Sequence, residues 1–159
     1  MKRFLPVALA LASAGLGCKS HSRPPALGES IAVEQPGGFA TQLIAQGTEI
    51  PTSATESFTT SRDDEKRIAI HVLRGAGRTA GKMRSEGWWS IDGVQPGRAG
   101  EPRIQVTFEV DGQGGLSVSA RQDDRKLKVS RLEPTEVKLK PAALVEPDDE
   151  MDEAEDEPE

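Results

Sequence analysis

The chain has 159 residues and carries 20 basic against 26 acidic side chains, a net charge of −6. That length accommodates one modest domain with its ends and excludes a pair of enzyme-sized domains. Ten of the acids fall within residues 146–159, and the start holds Lys2 and Arg3. The body between them therefore has 18 basic and 16 acidic groups, a surplus of +2, so no nucleic acid is expected as a partner.

Residues 1–17 open on that basic pair and continue as the uncharged run "FLPVALALASAGLG". The run is too short to span a bilayer comfortably and reads as a secretory signal. It ends at Cys18, the only cysteine, preceded by Gly17. The junction resembles a bacterial lipobox, which implies lipidation of Cys18 and a membrane-anchored, exported lipoprotein. An ordinary signal peptide with a spare thiol is the plainer alternative. Lys19 stands where an inner-membrane retention aspartate is typical, which favours an outer membrane in a cell that has one. Residues 18–29 then read as a lipidated N-terminus and linker.

Strand patterns dominate residues 30–133. "GTEIPTSATESFTT" (47–60) is rich in Thr and Ser, with Ile50 and Phe58 placed for burial and Pro51 suited to a strand start. It predicts a turn followed by a strand. "RIAIHVL" (67–73) alternates, with Ile68, Ile70 and Val72 on one face. In "RIQVTFEV", Ile104, Val106, Phe108 and Val110 share one face. A glycine-rich "DGQGG" turn joins it to "GLSVSAR", which predicts a hairpin. "KLKVSRL" reads as one further strand. No stretch has a convincing amphipathic helical stripe, so the expected fold is all-β: an antiparallel β-sandwich of about eight strands, without an α-helical lid. Residues 134–145 read as an extension or linker. The acidic tail, 146–159, is expected to be disordered and solvated.

Few groups suggest catalysis or cofactor chemistry. "GAGRTAG" (75–81) imitates a dinucleotide fingerprint, but the following "KMRSEGWWSIDG" lacks the helix whose N-terminus would face a pyrophosphate. A loop between strands is the better reading, and no nucleotide or other cofactor is expected. Two histidines, His21 and His71, and one cysteine offer no metal set. His71 lies opposite the Ile68–Ile70–Val72 face and reads as a surface or loop-bonded side chain. Asp63, Asp64 and Glu65 beside Lys66 and Arg67 read as a solvated loop. With no nucleophile paired to a base, an enzyme is not expected. Trp88 and Trp89 are adjacent in a predicted strand, so one should face inward and the other outward.

Taken together, "GGFATQLIAQGTEIPTSATESFTTSRDDEKRIAIHVLRG", "IDGVQPGRAGEPRIQVTFEVDGQGGLSVSAR" and "KLKV" closely resemble the β-subdomain of the substrate-binding domain of DnaK-type (seventy-kilodalton heat-shock) chaperones. The resemblance runs from about Ser30 to Leu132. It implies an eight-stranded sandwich whose loops hold an extended peptide in a channel, with the "ESFTT" strand as one wall. By position, Val33, Phe58, Ile68, Ile70 and Ile104 correspond to the lining of the central apolar pocket. A leucine or isoleucine buried there would gain roughly 1.5–3 kcal/mol. The alternative is that all five are simply core.

The sequence departs from the family at telling places. Pro36 and Ser61 stand where two residues arch over the bound peptide, and proline has no N–H to donate. Asp63 matches the acid of the family's inter-loop latch, but Ala99, beside Arg98, stands in the arginine position. "HSRPPALGE" occupies the place of the interdomain linker, and "EPTEVKLKPAALVEP" begins where the lid would. The expected function is membrane-anchored, ATP-independent, holdase-like binding of extended or unfolded polypeptide. The alternative is an interaction or structural lipoprotein with a degenerate groove, using its outer surface or acidic tail. In "KLKPAALVEP", basic residues precede Ala142, Ala143, Leu144 and Val145. The resemblance implies ligands of this kind, Leu-rich and flanked by basic residues, so Leu144 is a candidate to plug the groove, against the plainer reading of linker or an added edge strand through Val137 and Leu139.

Overall fold

The computed structural model describes residues 24–133 and 141–145. The signal-like start with Cys18 and His21, the acidic tail, and residues 134–140 with Val137 and Leu139 lie outside the described residues. Two five-stranded antiparallel sheets face each other. In chain order the strands are β1 (Ile31–Gln35), β2 (Phe39–Ile44), β3 (Thr52–Thr59), β4 (Arg67–Arg74), β5 (Arg84–Asp92), β6 (Ile104–Val110), β7 (Leu116–Gln122), β8 (Arg125–Lys126), β9 (Lys128–Leu132) and β10 (Ala143–Leu144). One sheet has the order β2-β1-β4-β5-β9 and the other β10-β3-β6-β7-β8. Eight of these strands have five residues or more; β8 and β10 have two each.

Period-two patterning builds the core. On β6, Ile104, Val106, Phe108 and Val110 are buried while Gln105 and Glu109 are exposed, as the pleat requires. From the facing sheet, Ile31, Val33, Ile68, Ile70, Val72 and Ile91 join them in one apolar cluster with Phe58. The rings of Phe58 and Phe108 pack at 6.3 Å with a 56° tilt, a favourable aromatic geometry. The β6–β7 hairpin forms as expected, with Val110 opposite Leu116. Ile50 is buried and its bond to Pro51, just ahead of β3, is cis.

Three details differ from the sequence reading. "KLKVSRL" is not one strand: β8 pairs with β7 in one sheet, whereas β9 pairs with β5 in the other. Leu127 makes the crossing, buried in the core with its N–H bonded to the Ala120 carbonyl at 2.9 Å. The packed unit also starts ahead of Ser30, because Leu27 is buried and its N–H donates to the Thr48 carbonyl. Finally, residues 141–145 add a strand to the sheet of β3.

The tryptophans divide as the pleat dictates. Trp89 is buried in the core, while Trp88 lies outward, its ring stacked on His71 at 4.2 Å and 6°. His71 is fully partnered on that face, with Nδ1 2.5 Å from Glu34 and Nε2 2.8 Å from Ser85. "GAGRTAG" runs into a three-residue 3-10 turn, Ala80–Lys82, and then β5 follows. That stretch forms an inter-strand loop.

Candidate peptide groove

β1 and β4 pair only through Ile31–Val33 and Val72–Arg74. Beyond the Val33–Val72 pair the two strands part, and the carbonyl of Ala69 on β4 loses a neighbour in its own sheet on that side. On the opposite sheet, β3 has β6 on one edge and only the two-residue β10 on the other. The gap between Ala69 and this edge of β3 is the candidate groove. In the turn after β1, Gly37 and Gly38 adopt φ of 94° and 79°, values that favour glycine.

Extended chain already fills the gap. Residues 141–145 lie antiparallel to β3, with Ala143 opposite Thr59 and Leu144 opposite Phe58. The Val145 N–H donates to the Ser57 carbonyl at 2.8 Å, and the Ala142 N–H to the Ala69 carbonyl at 2.8 Å. The Leu144 N–H donates to Oε1 of Gln35 at 3.0 Å. The segment is thus held from both sheets at once. Alternate side chains turn inward: Ala142 is 5% exposed within the core cluster, and Leu144 packs against it. This is strand addition, in which backbone bonds hold the chain and alternate side chains enter the pocket.

The residues expected to line the pocket, Val33, Phe58, Ile68, Ile70 and Ile104, are all buried in the same cluster as Ala142. Phe58 and Ile104 are cross-strand partners, and Phe58 carries Leu144 on its other side. The expected arch residues stand apart from this cluster. Pro36 and Ser61 are both exposed, and no hydrogen bond joins them among the described residues. Ser61 instead turns into its own loop, its N–H and hydroxyl both donating to Glu65 Oε2.

The latch is built from backbone rather than from an arginine side chain. The Ala99 N–H donates to the Asp63 carboxylate at 2.8 Å. Beside it, the Asp64 N–H donates to the Gly97 carbonyl at 2.8 Å and the Gly100 N–H to the Thr60 carbonyl at 3.0 Å. The β3–β4 and β5–β6 loops are tied together although Ala99 stands in the arginine position.

Sequence reasoning did not single out Gln35 or Ala69 as candidate groove residues, and took in Ser57 only as part of the "ESFTT" wall. Ser57 and Ala69 act through their carbonyls, which every residue possesses, so no side-chain pattern marks them. Gln35 carried a faint signal as an amide at the end of an apolar strand. Among the described residues, three buried side-chain polar atoms have no partner: Gln35 Nε2, Thr59 Oγ1 and Thr60 Oγ1. Two of these residues meet the segment: Thr59 lies opposite Ala143, and Gln35 bonds the Leu144 N–H. Each such group costs on the order of 1–3 kcal/mol, so their gathering here marks an imperfectly matched occupant.

A protein-family model for the Hsp70 protein matches residues 27–158. The chain belongs to the Hsp70 family. The two-sheet domain is consistent with the substrate-binding β-subdomain of Hsp70 proteins, and membership points to chaperone-like binding of polypeptide. In this Hsp70 relative, the strand that fills the groove is supplied by the chain itself.

Proposed function

We propose that this Hsp70-family chain is a non-enzymatic, membrane-anchored module that holds extended segments of unfolded polypeptide in the groove beside β3, without ATP. The observation that carries the reading is the bonding of the 141–145 segment. The edge of β3 away from β6 accepts an extended chain through Ser57, and the facing sheet secures it through Ala69 and Gln35. Backbone bonds of this kind are indifferent to ligand sequence, as a binder of unfolded chains requires. Inward pockets lined by Val33, Ile68 and Ile70 add the apolar contribution. The anchoring half of the reading is supported by the basic start, the short apolar run and Cys18. An extended hydrophobic peptide is the partner, and the membrane is engaged only through lipid.

Titration of a fluorescent Leu-rich peptide against the whole chain, followed by anisotropy, tests the reading. Saturable binding is expected, unchanged by ATP with magnesium. Absence of saturable binding, both in the intact chain and in a variant whose 141–145 segment has been expelled, would contradict it.

A further inference from the structure

We propose that the preferred external ligand of this groove is an extended segment carrying a small residue, a serine or threonine, and a leucine in succession. Such a segment binds by displacing residues 141–145 of the chain itself. The inference rests on the peptide-binding reading above and gives it a substrate class.

The resident segment supplies the register. Leu144 opposite Phe58 and the enclosed methyl of Ala142 set a leucine and a small residue at the two inward positions. Between them lies Ala143, directly opposite Thr59. Paired residues of an antiparallel ladder share a face, so the Ala143 methyl stands on the side of Thr59 Oγ1 and has no hydroxyl to offer it. That hydroxyl is buried and without a partner. The same sheet shows the arrangement that would satisfy it. Four residues earlier on the same face of β3, Thr55 is paired with Thr107 of β6, and their hydroxyls bond at 2.8 Å. Cross-strand Thr–Thr and Thr–Ser pairs are stabilising units of a sheet. A ligand with Thr or Ser in the place of Ala143 completes at Thr59 the pair that the segment leaves half-made. Gln35 points the same way, since its Oε1 is engaged by Leu144 while Nε2 has no acceptor. A buried donor of that kind favours a more polar neighbour.

Displacement follows from the same observations. Seven residues, 134–140, separate β9 and Glu133 from Pro141, so the segment is a short-tethered ligand with an effective concentration on the order of millimolar. A tethered occupant that leaves the polar groups of Thr59 and Gln35 unsatisfied is held by proximity more than by fit. A better-matched free segment therefore competes with it.

The test uses the full chain and three labelled peptides: the chain's own "KLKPAALVE", the same peptide with Thr at the position of Ala143, and the same peptide with Asp at the position of Leu144. Two full-length variants accompany the wild type. Leu144→Asp expels the segment by placing a charge against Phe58. Ala143→Thr leaves all packing in place and completes the Thr59 pair, so it should hold the segment more firmly. The Thr peptide should bind about two- to fivefold more tightly than the chain's own sequence, the size of one cross-strand pair, and the Asp peptide should not bind. The affinity of the Thr peptide should rise about tenfold in Leu144→Asp, where the tethered competitor is gone, and fall in Ala143→Thr. Equal affinity across the three proteins overturns the displacement, and equal or tighter binding of the chain's own sequence overturns the hydroxyl preference; peptide binding itself survives both results. If no peptide binds Leu144→Asp while slow amide exchange in β6 shows its core intact, the groove reading fails, and this inference with it.

Discussion

The Asp63 carboxylate accepts the backbone N–H of Ala99 at 2.8 Å, joining the β3–β4 loop to the β5–β6 loop. One side chain thus serves although Ala99 stands in the position of the arginine that the family resemblance implies for the latch, because an amide can stand in for an arginine as a donor to an acid. Both residues are exposed, so the bond is modest. Asp63→Ala removes the acceptor but leaves the neighbouring Asp64–Gly97 and Thr60–Gly100 backbone bonds. Peptide dissociation should quicken by about two- to tenfold, the equivalent of one net hydrogen bond of about 0.5–1.5 kcal/mol. Stopped-flow release of a labelled peptide measures this, and an unchanged rate would separate the latch from the groove.

Ile68 lies on β4, 3% exposed, in the apolar cluster that also takes Ala142. Ile68→Phe adds volume where the packing is already close. Overpacking of this kind costs about 1–3 kcal/mol, so peptide affinity should fall roughly five- to a hundredfold in protein that remains folded by near-ultraviolet circular dichroism. Anisotropy titration reads the change. Equal affinity in the folded variant would take the pocket out of the account.

The β6–β7 turn carries a pH dependence. Asp111 Oδ1 accepts N–H bonds from Gln113 and Gly115, each at 2.8 Å. These amides, Gly115 first, hold its carboxyl below the ordinary value of 3.8. A depressed acid favours its ionised form in the folded state, so its contribution is present above that ordinary value and is lost as pH falls through the lower folded value. Gly115 is required for this closeness, since a Cβ there would lie 2.6 Å from Asp111 Oδ2. Asp111→Asn should therefore lower Tm at neutral pH, and the gap from wild type should narrow as the pH drops below about 4. A gap that stays constant down to pH 2 would show that the carboxylate charge plays no part.

At the other end of the chain, Cys18 follows the apolar run of the signal-like start. Cys18→Ser should leave the precursor unprocessed or release it from membranes, as fractionation and mass spectrometry of the N-terminus would show. Identical processing and membrane association of the variant would exclude lipid at this residue.

The sandwich was legible because its strands are amphipathic on a two-residue period. The faces of β4 and β6 and the turn between β6 and β7 could be read directly. "KLKVSRL" misled because its alternation continues smoothly past Leu127, whereas the strand changes sheets there. Alternation records which side is buried and is silent about which neighbour supplies the hydrogen bonds. The same silence hid most of the groove. Val33, Phe58, Ile68, Ile70 and Ile104 were visible as apolar positions and named by resemblance, but Ser57 and Ala69 contribute only carbonyls. The placement of Leu144 was suggested by the ligands that the resemblance implies. The register that sets it against Phe58, and Ala143 against Thr59, required the folded chain.

The central claim is that extended polypeptide is held along the edge of β3 away from β6. Its most direct measurement is photocrosslinking of a Leu-rich peptide, carrying a photoreactive group beside the leucine, to the full-length Leu144→Asp protein, with the sites mapped by mass spectrometry. The account predicts crosslinks to Ser57–Thr60, Gln35 and the neighbourhood of Ala69, suppressed by excess unlabelled peptide. Crosslinks confined to the outer face of the β6–β7 hairpin, at Gln105, Thr107 or Arg121, would contradict it.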